Sequence, residues 1–262
     1  MPLDSMHVSL IVDRKSLSRR EFCVIAASTA ASLASNSACS SVMPSLNDGR
    51  LTARPRDGVK TTSTGEIMLG LDRERDAILH LPERAAESPL PLFVMLHGAT
   101  QSASDMFWYL GDAPEEAGIA VLAPNSRDTT WDAIGGSFGP DVDFVNRALQ
   151  RVFETVAIDP ARVSVGGFSD GASYALGFGL INGDLFSRVV AFSPGFIVYD
   201  HPHGNPRFFI SHGTRDHILP IDRCGRRVAA QLTDRGYDVT FREFDGDHEI
   251  PADVVREGLR FL

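Results

Sequence analysis

Val163-Ser164-Val165-Gly166-Gly167-Phe168-Ser169-Asp170-Gly171-Ala172 is the stretch on which the reading of this chain turns. A β-branched run ends in paired glycines, Ser169 stands between Gly167 and Gly171, and an apolar run to Ile181 follows at helical length. The stretch therefore predicts a strand, a sharp turn and a helix. A serine on such a turn must adopt a strained backbone, and flanking glycines remove side chains that would clash. Its hydroxyl is then presented at a helix N-terminus, where unpaired N–H groups favour developing negative charge. Alone, G-x-S-x-G is equally an ordinary Gly/Ser turn, so partners elsewhere must decide.

A nucleophilic serine in this setting needs an acid and then a histidine, each after a later strand. Arg207 to Ser211 reads as one such strand, followed by His212-Gly213-Thr214-Arg215-Asp216-His217; Val239 to Phe244 reads as the next, followed by Asp245-Gly246-Asp247-His248-Glu249. Asp222, Asp245 and Asp247 are rival acids, but Asp216 directly follows a strand. His217 follows Asp216 too closely to face it, and His212 precedes it, which leaves His248 as the base. Upstream, Leu92-Phe93-Val94-Met95-Leu96 runs into His97-Gly98-Ala99-Thr100-Gln101, a glycine-containing loop placed where an oxyanion would be held.

These four sites together resemble serine esterases of the α/β-hydrolase superfamily, in particular phospholipase/carboxylesterase and polyhydroxybutyrate-depolymerase-like (feruloyl-esterase-like) enzymes. The motifs are HGATQSASDM (His97 to Met106), GGFSDGASYAL (Gly166 to Leu176), SHGTRDHILP (Ser211 to Pro220) and FDGDHEIP (Phe244 to Pro251). The resemblance implies a mostly parallel sheet with helices on both faces, and a Ser169-His248-Asp216 triad acting through an acyl-enzyme on a small or medium ester. It also implies an oxyanion hole from the backbone N–H of Asp170 and of Ala99, with Thr100 the neighbouring candidate. His97 would organise its loop. Acyl-protein thioesterases usually carry glutamine where this chain has Asp170.

Composition sets outer limits. At 262 residues and 43% hydrophobic, the chain can build one α/β domain with a substantial core, and a formal charge of −9 argues against a nucleic-acid partner. Arg14 to Phe22 precedes an uncharged Ala/Ser-rich stretch, and Ser18-Arg19-Arg20-Glu21-Phe22 resembles a twin-arginine export signal, so residues 1–38 are expected to direct export to the periplasm or beyond. That stretch is too polar for a stable membrane span. Cys39 follows Ala38 as a lipid-attachment cysteine would, but Asn36 stands where such signals have leucine, which argues against an anchor. Residues 39–63 read as linker and 64–262 as the catalytic domain. Cys224 is the only cysteine in that domain, which excludes an internal disulfide there.

Ile67 to Leu69 and Ala77 to Leu81 suggest an antiparallel sheet edge, and Ile119 to Ala123 a buried strand. Asp141 is expected to cap the helix that follows it, and Asp159-Pro160-Ala161-Arg162 to turn the chain into the nucleophile strand. Only 14 residues, Ser193 to Pro206, fill the place of a lid domain, so the site should be open. Loops carrying Phe107, Trp108, Tyr109, Trp131, Phe138 and Phe196 are candidates to line it, with Phe168 beside the serine; core packing is the alternative for each. His201-Pro202-His203 lacks further ligands for a metal, and no glycine motif fits a nucleotide, so no cofactor is implied. An acyltransferase with the same triad, or a catalytically silent binding protein, are the other readings.

Overall fold

A computed structural model of the chain describes residues 48–86, 89–198 and 201–262, all within one compact unit, Ser45–Leu262. The expected export signal, its Arg19-Arg20 pair and Cys39 lie outside the described residues.

Eight strands form one sheet in the order β1-β2-β4-β3-β5-β6-β7-β8. β1 (Gly65–Met68) and β2 (Ala77–Leu81) make the antiparallel edge. β3 (Leu90–Leu96), β4 (Ala120–Pro124), β5 (Ile158–Phe168), β6 (Arg188–Phe192), β7 (Arg207–Gly213) and β8 (Val239–Phe244) run parallel. The helices are α1 (Ala103–Leu110), α2 (Ala113–Ala117), α3 (Asp132–Gly135), α4 (Pro140–Thr155), α5 (Asp170–Ile181), α6 (Gly225–Asp234) and α7 (Ala252–Phe261).

β3 shows why its sequence lacks polar alternation. Leu92, Val94 and Leu96 pack on one face with residues of α4, α5 and α6, while Phe93 and Met95 pack on the other with α1 and α7. Both faces of the strand are thus covered, as a central parallel strand requires. Strand order reverses at β3, flanked by β4 on one side and β5 on the other. Such a reversal opens a crevice at the carboxyl ends of the strands. The loops after β3 and β5 are the His97 loop and the Ser169 turn.

Several local expectations are corrected. Residues 48–63, read as linker, lie against the domain: Leu51 and Ala53 are buried, Leu51 N–H donates to Asn182 Oδ1 at 2.8 Å, and Asn146 Oδ1 accepts from Thr52 and Ala53 at 2.9 Å. A strap bonded by amide side chains of helices needs no period of its own. Phe107, Trp108 and Tyr109 lie on α1 and not on a loop, since Asp105 reaches back to the Ser102 N–H at 2.7 Å and starts a helix there. Asp159 to Arg162 is an exposed bulge inside β5, whose pairing to β3 shifts register between Leu90 and Leu92. The N-cap of α4 is Gly139; Asp141 sits in its first turn, buried, with a different task described below.

Candidate active site

Ser169 has φ 56° and ψ −115°, a conformation that is costly for a residue with a side chain. The turn is held from both sides. Ser169 N–H donates to Phe192 O at 2.9 Å, and Ser169 O accepts from the Ser173 N–H at 3.0 Å. Gly171 must lack a side chain because a Cβ there would overlap the Leu96 carbonyl oxygen, so α5 can begin only where it touches the end of β3.

The three expected catalytic residues, far apart in sequence, form one hydrogen-bonded line. Ser169 Oγ lies 2.9 Å from His248 Nε2, and His248 Nδ1 lies 2.7 Å from Asp216 Oδ2. Asp216 is buried, and its other oxygen accepts from Ile218 N–H at 3.0 Å and Leu219 N–H at 2.7 Å. Those bonds fix the carboxylate before it meets the imidazole. The rivals do different work. Asp245 pairs with Arg215, Asp222 with Arg226, and exposed Asp247 accepts from His217 Nδ1 at 2.7 Å and from the His248 N–H at 2.8 Å. The Phe168 ring lies 4.8 Å from that of His248 and 5.1 Å from that of Tyr109.

The His97 loop presses against the serine: a Cβ on Gly98 would stand 3.4 Å from Ser169 Cβ. Buried His97 donates from Nδ1 to Gly98 O at 2.8 Å and accepts the Ser126 N–H on Nε2 at 3.0 Å. Burial pushes its pKa down, so the ring is a neutral brace for the loop. Thr100, at φ 62°, gives its N–H to Thr129 O at 2.7 Å, which leaves Ala99 as the candidate donor on this loop. Asp170 is the first residue of α5, where an N–H has no intrahelical acceptor. Its carboxylate is occupied elsewhere, accepting the Thr130 hydroxyl at 2.7 Å.

Two of the aromatic candidates belong to the core. Trp131 and Phe138 are 1% and 6% exposed, and both rings pack about Tyr174, with centroids 5.2 and 5.1 Å away. The loop folds inward because Asp132 and Asp141 tie its ends together: Asp132 N–H donates to Asp141 Oδ2 at 2.7 Å, and Asp141 N–H to Asp132 Oδ2 at 2.9 Å. Trp131 then donates Nε1–H to His97 O at 2.8 Å, so it braces the His97 loop from behind. Phe107 lines a groove of about 470 Å³ with His80 and Glu115, which contains none of the triad. Trp108, by contrast, is 79% exposed, its ring 5.1 Å from Tyr109. Phe196 is also partly exposed.

A model of the phospholipase/carboxylesterase family matches residues 137–262, a stretch that includes Ser169, Asp216 and His248. Acyl-protein thioesterase 1 of Emericella nidulans is 29% identical over 112 residues, covering 39% of this chain and 46% of its own. Feruloyl esterase C of the same organism is 26% identical over 116 residues, 44% and 42%. The chain has the α/β-hydrolase fold. It spans under half the length of those two relatives. An S-formylglutathione hydrolase of Staphylococcus aureus superposes with a TM-score of 0.62 at 16% identity, covering 76% of this chain and 99% of its own, which supports the fold alone.

Around Ser169 several contributors were invisible to sequence reasoning. Ser173, one turn after Ser169, donates its hydroxyl to Ser169 O at 3.1 Å and accepts the Gly195 N–H at 2.9 Å. The i, i+4 serine spacing was the available signal. Gln101 Oε1 accepts the Gly98 N–H at 3.0 Å and its Nε2 donates to Tyr109 at 3.0 Å, tying the His97 loop to α1. Among the described residues no cluster of three or more His, Cys, Asp or Glu could hold a metal, and no helix is long and apolar enough to cross a membrane.

Proposed function

We propose that this protein hydrolyses small or medium carboxylic esters through an acyl-enzyme on Ser169. The observation that carries the proposal is the unbroken line from Ser169 Oγ through His248 to buried Asp216. In that geometry Ser169 Oγ attacks the ester carbonyl while its proton passes to His248 Nε2. The carbonyl oxygen takes the negative charge and is received by the N–H groups of Ala99 and Asp170. On collapse the C–O bond breaks, and His248 returns the proton to the leaving alcohol. Water then repeats the sequence, with His248 taking its proton and Ser169 leaving as the free alcohol. Asp216 keeps Nδ1 as the protonated nitrogen throughout, so Nε2 is the one free to act.

Feruloyl esterase C and acyl-protein thioesterase 1 among the relatives motivate a panel of aryl, short acyl and thio esters for the first assay. A fluorophosphonate probe should label wild-type protein at Ser169, located by mass spectrometry, and should not label folded Ser169→Ala. Hydrolysis by folded Ser169→Ala at the wild-type rate would end the proposal. Export through the twin-arginine route is part of the same proposal, supported by Arg19-Arg20 in the sequence. Changing both to Lys should retain folded esterase in the cytoplasm, and unchanged export would refute that route.

A further inference from the structure

His212, next to last in β7, is fully buried and stands against the triad acid. Its Nε2 lies 3.2 Å from Asp216 Oδ2, the oxygen that also meets His248, and 2.7 Å from Leu219 O. Leu219 in turn gives its own N–H to Asp216 Oδ1, so ring, loop and carboxylate close a circuit. Room for the ring exists because Gly225 has no side chain; a Cβ there would overlap it. His212 Nδ1 is buried with no hydrogen-bond partner. The hydrogen therefore belongs on Nε2, which faces two acceptors, and a second one on Nδ1 would be left unsatisfied. Burial, the largest influence on this ring, pushes its pKa down and agrees with a neutral imidazole, against the opposing pull of Leu219 O and Asp216.

Resting on the triad reading, we infer that His212 is a positioning residue for the catalytic acid: its neutral Nε2–H, shared between Leu219 O and Asp216 Oδ2, orients the carboxylate and weakens its hold on the His248 proton. A donor placed on the oxygen that faces His248 takes up part of that oxygen's basicity, so the carboxylate pulls less strongly on the His248 N–H. The other charged groups packed around this corner pair among themselves. Glu243 and Asp222 are bonded to Arg226, and Asp247 to His217. The remaining neighbour of the His248 ring named above, Phe168, is apolar.

The nitrogens of glutamine and asparagine separate the two ring positions. Gln Nε2 falls near the place of imidazole Nε2, whereas Asn Nδ2 falls near that of Nδ1. His212→Asn should move the acid limb of the kcat/KM profile up by about half a pH unit or more, with KM for a neutral ester within about twofold of wild type. His212→Gln should return the limb to its wild-type position. A folded His212→Asn with an unmoved limb, or a His212→Gln shifted as far as His212→Asn, overturns the assignment. If His212→Asn fails to fold, His212→Leu, which also lacks a donor there, takes its place beside His212→Gln: a limb raised in His212→Leu alone supports the assignment, and limbs that coincide in the two variants refute it. Ser169→Ala belongs in the same assay. Activity in that variant would remove the triad and this inference together, whereas an inactive Ser169→Ala beside an unmoved His212→Asn limb removes only the role of His212.

Discussion

The Thr130 hydroxyl donates to Asp170 Oδ2 at 2.7 Å, so the residue next to Ser169 keeps its carboxylate bonded to the Asn125–Pro140 loop. A carboxylate free to approach the oxyanion would oppose the charge that forms there. Thr130→Val should therefore lower kcat by roughly tenfold, a barrier change of about 1.4 kcal/mol, with little change in KM. Adding Asp170→Asn to Thr130→Val should restore most of the loss, because the charge is gone. Steady-state kinetics on the single and double variants measure this, and equal loss in both would contradict it.

Asp216→Asn should reduce kcat by up to about 10⁴-fold, since an amide in that place favours the wrong imidazole tautomer. Asp245→Asn and Asp247→Asn should stay within several-fold of wild type, because each carboxylate is exposed and paired at the surface. The ranking of the three variants in one ester assay is the check.

Trp131 and Trp108 should part company. Trp131→Ala should destabilise the domain by about 3–5 kcal/mol, the usual cost of emptying a buried aromatic site. Trp108→Ala should leave the melting temperature nearly unchanged and raise KM for aryl esters, as its exposed ring meets Tyr109, which in turn meets Phe168, and so offers an aryl group an apolar face. Thermal denaturation and kinetics together distinguish them.

Asp141 predicts a pH effect on stability. Burial pushes its pKa up to about 6, against the backbone N–H groups of Asp132 and Arg127, which favour the carboxylate. The folded state thus binds this proton more tightly than the unfolded chain, whose ordinary value is 3.8. The contribution is fully present below pH 3.8 and is lost as pH rises to about 6. Its size is on the order of 3 kcal/mol at most. Urea unfolding of wild type and Asp141→Asn between pH 4 and 7 should show a downward slope with pH that is flatter in the variant.

The strand, turn and helix around Ser169, and the order acid then histidine, were legible because each is carried by a contiguous motif on one strand end. The placement of Asp216 beside His248 was legible for the same reason. What escaped the sequence were relationships set by the packing of distant loops. Trp131 and Phe138 looked like site residues because their loop is polar and glycine-rich, yet the Asp132–Asp141 clasp turns both rings into the core. His212 was set aside for preceding the acid, although four residues along this particular loop bring its ring back onto Asp216. The strap at 48–63 had no period to read, since its backbone partners are the side chains of Asn146 and Asn182.

That strap also sets an order of events. Gly49 and Leu51 bond to the amide of Asn182, and the contact from Leu51 spans 131 residues. The ribosome makes these residues early, but their anchor does not exist until β5 has formed its place in the sheet and α5 has been synthesised. Closing so long a loop is slow and comes after local structure. The first described residues of the domain are therefore among the last to be fixed, and protease resistance at Leu51 during synthesis would report that α5 is already in place.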